Sequence, residues 1–174
     1  MKTWLKRIAL FLLVVFAGAQ VVRPDRSTPP TDPSQTIFAR AQVAPKAERI
    51  LRRACRDCHS HDTSWPWYTN VAPVSWWIAD HVRHGRSHMN YSEWGKLTPK
   101  QSGILLDEMC GEVTKRAMPL PVYLPLHGHA RMNDEDIKDF CAWTEEERKR
   151  LAGPATAAES AAPATQPAPS KKNP

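Results

Sequence analysis

Apolar positions along this chain fall into one unbroken run and four periodic stretches. The run covers residues 8–22, fifteen positions that are apolar or small except for Gln20. Lys2, Lys6 and Arg7 precede it, and Ala17, Gly18 and Ala19 put small residues where a signal peptidase reads. Residues 1–22 therefore read as a signal peptide cleaved near Ala19 or as an N-terminal membrane anchor. Fifteen helical residues span only about 22 Å, short of a bilayer core of about 30 Å. Counting residues 4–22, with Lys6 and Arg7 snorkelling, narrows the gap. Both outcomes stay open, and in either the positive start keeps the remainder outside the cytoplasm.

The periodic stretches predict helices. The first runs from about Pro45 into residues 55–59 and turns Ile50, Leu51 and Ala54 inward. The second starts near Pro73 and ends at Gly85, with a stripe of Val74, Trp77, Ile78, His81 and Val82. The third opens on Thr98, Pro99 and Gln101, a capping-box pattern, and buries Leu106, Met109, Cys110 and Val113. The fourth is capped by Asn133, carries Asp134, Glu135 and Asp136 in its first turn, and buries Ile137, Phe140 and Cys141. No alternating strand pattern interrupts them, so the fold class is all-α.

Composition sets the boundaries. Residues 23–33 hold four prolines in eleven positions and read as an extended linker. Residues 151–174 hold eight alanines and five prolines and read as a disordered tail. The folded unit is residues 34–150. The net charge of +6 is mostly terminal, since that unit has seventeen basic against fifteen acidic residues. It gives no case for a nucleic-acid partner. Arg49, Arg52, Arg53 and Arg56 form one local cluster, read first as a solvated helix face.

Chemistry concentrates at Cys55, Cys58 and His59, a C-x-x-C-H motif. Cysteines three apart lie on one side of a helical turn, where both can form thioethers to one porphyrin, and the following histidine becomes an axial iron ligand. The cofactor is thus one covalent haem c. A thioredoxin-like pair wants a βαβ context, and a zinc site wants four ligands; a haem-free thiol or zinc module is kept as an alternative. Met118, stiffened by Pro119, is the candidate for the second axial position, with His127 or His88 as rivals. Trp65, Trp67 and Tyr68 follow the motif at once and read as haem wall. Cys110 and Cys141 are an even remainder in an oxidising compartment, so a disulfide or two buried thiols both fit. Closing that loop of roughly thirty residues would stabilise by about 3–4 kcal/mol.

These motifs, with Arg23 to Arg26, Val71 to Trp76, Asn90 to Trp94 and Met118 to Pro121, resemble the bacterial haem-binding domain family of cytochrome c type. The resemblance implies a small cytochrome-c-like domain of about four helices. The expectation is a monohaem electron carrier of the periplasm, not a catalyst, serving a redox partner that the sequence does not name. A haem sensor or peroxidase-like enzyme with a displaceable sixth ligand is the other haem reading.

Overall fold

Local capping chemistry writes the ends of the two longest helices of the folded region. In the computed structural model, which describes residues 2–153, the elements in order are α1 (Lys2–Ala19), α2 (Ile37–Arg40), α3 (Pro45–Ile50), α4 (Arg56–His59), α5 (Val74–His88), α6 (Pro99–Thr114) and α7 (Asp134–Leu151). No strand forms among the described residues, and the all-α class holds. At α6 the Gln101 amide donates to the Thr98 hydroxyl, while the Thr98 amide donates to the Gln101 side chain at 2.9 Å. Pro99 takes the first helical position, where its missing N–H leaves no bond unmade. Asn133 and Asp136 make the same exchange at α7. Three acidic residues in the first turn of α7 and three basic ones in its last complement its dipole.

The core lies where α6 packs along α7, with α3 against α7. Ser102, Leu106, Met109 and Val113 face inward from α6, and Phe140, Trp143 and Thr144 from α7. Ile37, Ile50, Leu51, Tyr91, Trp94 and Met132 complete the cluster. A fully enclosed leucine such as Leu106 stabilises by about 2 kcal/mol relative to exposure. The sulfurs of Cys110 and Cys141 lie at bonding distance, 2.03 Å, and tie α6 to α7. Buried Glu147 accepts two bonds from Arg150, at 2.6 and 2.7 Å, and one from the Gln42 amide.

The second helix departs from its predicted stripe. α5 runs three residues past Gly85 and buries Ser75, Ala79 and Val82, while Val74 and Trp77 are exposed. Small residues face inward because α5 packs against α4 and the Trp67–Asn70 turn, not against the main core. A Cβ on Gly85 would sit 2.6 Å from the Cys58 carbonyl oxygen, closer than any side chain tolerates.

Residues 23–32 form no regular element but are not free. Arg23 donates to the Asn70 carbonyl at 2.6 Å, Arg26 to the Asn70 side chain at 3.1 Å, and the Arg26 guanidinium lies 4.6 Å from the Trp65 ring centre. α1 buries no residue, and no helix among the described residues is long and apolar enough to cross a membrane. The expected tail lies, past Gly153, outside the described residues.

Candidate functional site

The C-x-x-C-H motif sits at the end of a single rod whose pitch changes along its length. α3 passes into a π-helical turn at Leu51–Cys55, then into α4. Such widened turns recur at functional sites because they re-aim side chains without breaking the helix. Ser60 ends the rod in extended backbone, and its hydroxyl donates back to the Arg56 carbonyl at 2.9 Å.

Cys55 and Cys58 are free thiols. Burial pushes each up to about 11, so both are protonated at neutral pH. Thiols that exchange disulfides need the opposite shift. Among the described residues no group of three or more His, Cys, Asp or Glu could hold a metal ion, so the zinc alternative finds no donor set there.

His59 Nδ1 lies 3.1 Å from the Met89 carbonyl. A carbonyl only accepts, so Nδ1 carries the proton and the lone pair belongs to Nε2. Burial lowers the His59 pKa and favours this neutral form. The ring stacks on Tyr91, whose buried hydroxyl has no hydrogen-bond partner of ordinary geometry.

The residues after the motif are held by Arg86. Its guanidinium donates to the Ser60 carbonyl at 2.8 Å and to the Thr63 hydroxyl at 2.7 Å, and Thr63 donates to the Asp57 carbonyl. His61 is half-buried, and its Nε2 lies 2.9 Å from the side-chain amide nitrogen of Asn90. The arginine cluster is only partly a solvated face. Arg53 pairs with Asp136 at 2.7 Å and donates to the carbonyls of His129 and Arg131, and Arg52 covers Phe38.

Tyr123, which sequence reasoning passed over, hooks the distal loop onto the motif. Its hydroxyl donates to Asp57 Oδ2 at 2.8 Å. Its ring stacks on His127 at 3.7 Å, and the Tyr123 carbonyl accepts from His127 Nδ1. His127 Nε2 must then accept from the Tyr68 hydroxyl, at 2.9 Å. Both nitrogens of His127 are therefore engaged. Tyr123 could have been suspected as an aromatic between Met118 and His127, but its partner, Asp57, is a position the motif spacing leaves unspecified.

Met118 starts the same loop. Arg116 adopts positive φ (58°) just past α6, and the amides of Ala117 and Met118 then donate to the Glu112 carbonyl at 3.0 and 3.2 Å. The Arg116 side chain reaches the Met132 carbonyl and Asp134. The Met118–Pro119 peptide is cis. Met118 is 37 % exposed, and Val122, Leu126 and Trp67 are more exposed still. Trp65 is half-buried beneath Arg26, and His88 is exposed at the end of α5.

These residues fit a haem. Two protonated thiols and a neutral imidazole with a free lone pair share one turn, and a loop rich in exposed apolar side chains is fastened beside them. A family model described as a haem-binding domain matches residues 14–146. No curated protein and no solved structure matches the chain.

Proposed function

The chain belongs to the haem-binding domain family, and from that premise we propose that it is a monohaem c-type cytochrome domain that carries electrons in the periplasm. Cys55 and Cys58 would hold the haem through thioethers, and His59 Nε2 and Met118 would be the ligands to its iron. The group, when bound, supplies a one-electron iron couple, which thioether ligation raises relative to two histidines.

The observation that carries this reading is the His59–Met89 hydrogen bond beside two unpaired thiols. The Met89 carbonyl fixes the imidazole plane and raises the basicity of Nε2. Arg86 keeps the 60–63 loop closed behind the motif, and Tyr123 keeps the 117–127 loop against Asp57. Trp65, Trp67 and Tyr68 would supply apolar cover, with Pro119 stiffening the Met118 backbone. To reach an iron through Nε2, His127 would have to give up the Tyr68 hydroxyl, though not the Tyr123 carbonyl, which favours Met118. Haem that stays on the chain through a denaturing gel tests covalent attachment; loss of the stain overturns it. Met118→Ala should convert a low-spin spectrum to high-spin. An unchanged low-spin spectrum assigns the ligand to another residue.

A sensor or peroxidase-like role is supported by one feature, the partial exposure of Met118, which suits a displaceable ligand. Carbon monoxide binding by the reduced, unaltered protein favours that role, and failure to bind favours the carrier.

A further inference from the structure

α1 is joined to the domain without slack. Gln20 exchanges hydrogen bonds with the backbone of Ala72, accepting from its amide at 2.9 Å and donating to its carbonyl at 3.3 Å. The Trp76 indole N–H donates to the Val22 carbonyl at 2.7 Å, and Arg23 donates to the Asn70 carbonyl. These bonds fix the end of α1 to the start of α5. Beside that junction the surface carries Val74, Trp76 and Trp77, respectively 42, 37 and 49 % exposed, with Val21 and Val22 completing an apolar rim.

We infer that this rim is a lipid-docking surface: α1 lodges in a bilayer and the first turn of α5 rests in its headgroup region. The inference rests on the reading that α1 stays attached to the exported domain. α1 leaves Leu5 and every residue from Leu10 to Phe16 exposed, an apolar surface that nothing else among the described residues covers. Its eighteen residues span about 27 Å, shorter than a hydrocarbon core of about 30 Å. Seating such a short helix draws whatever is rigidly attached to its end into the interface. Tryptophan suits that depth, with an apolar ring and one polar N–H. Arg23 and Arg26 lie along the same edge, at the level of anionic lipid phosphates. The rim also accounts for the exposed part of the α5 stripe, Val74 and Trp77, which do not face the protein core.

Full-length chain, checked by intact mass, is reconstituted into nanodiscs of phosphatidylethanolamine and phosphatidylglycerol and footprinted with hydroxyl radicals. Ile104 on α6 is as exposed as Trp77, at 51 %, and an indole reacts faster than an aliphatic side chain. Docking predicts that Trp76 and Trp77 are modified less than Ile104. Faster modification of Trp77 than of Ile104, in chain that co-floats with the discs, overturns the docked rim and leaves the tether standing. Chain that does not co-float overturns both.

Discussion

Cys55 and Cys58 are the residues whose chemistry is most altered by where they sit. Their ordinary value is 9.0, and burial raises both to about 11. In haem-free protein, alkylation followed by mass spectrometry should therefore be slow at pH 8 and accelerate as the pH climbs toward 11. Fast reaction at neutral pH would mean exposed or activated thiols. Gly85 is a second position where one atom decides the outcome. Alanine gains about 1 kcal/mol of helix propensity over glycine, but the added methyl would meet the Cys58 backbone, which cannot swing aside as a side chain tip would. Overlap of this kind costs about 1–3 kcal/mol, so the clash wins. Gly85→Ala should lower both haem content and thermal midpoint. The motif itself was legible in sequence because its residue types and spacing are local. Gly85 was legible only as a helix end, since its packing partner lies 27 residues away.

At the scale of elements, what is local was readable and what is long-range was not. The caps of α6 and α7 follow from residues three apart. The π-helical turn before the motif, the Tyr123 hook and the clamping of residues 23–33 onto Asn70 all depend on distant partners. The α5 stripe misled because apolar periodicity reports a water-avoiding face without naming what covers it. Asp136 joins two elements by capping α7 and pairing with Arg53 beside the motif. Burial opposes its charge, but the Asn133 amide and the Arg53 guanidinium outweigh it and hold the carboxyl below its ordinary 3.8. A lowered carboxyl stabilises the fold fully above that value, and the gain is lost as pH falls through the lower folded value. The unaltered protein should therefore lose thermal stability on acidification faster than Asp136→Asn, and the two should converge at the acid end. Parallel melting curves at every pH would show that the pair contributes nothing.

For the molecule as a whole, the arrangement separates two jobs. The α6–α7 core with its cross-link supplies stability, while α5, the rod end and the loop from Arg116 to His127 frame the motif. The carbonyl of Glu112, which receives the Met118 amide, is two residues from Cys110, so the bonded end of α6 also carries the distal loop. Four sulfurs thus leave one polypeptide with two fates, and packing does the sorting. Cys110 and Cys141 meet face to face across neighbouring helices, whereas Cys55 and Cys58 stay reduced along the same rod. A chain that closed its cross-link late would offer four interchangeable thiols to any passing oxidant. If the haem is attached as proposed, the packing that joins Cys110 to Cys141 also leaves Cys55 and Cys58 as the pair that receives it.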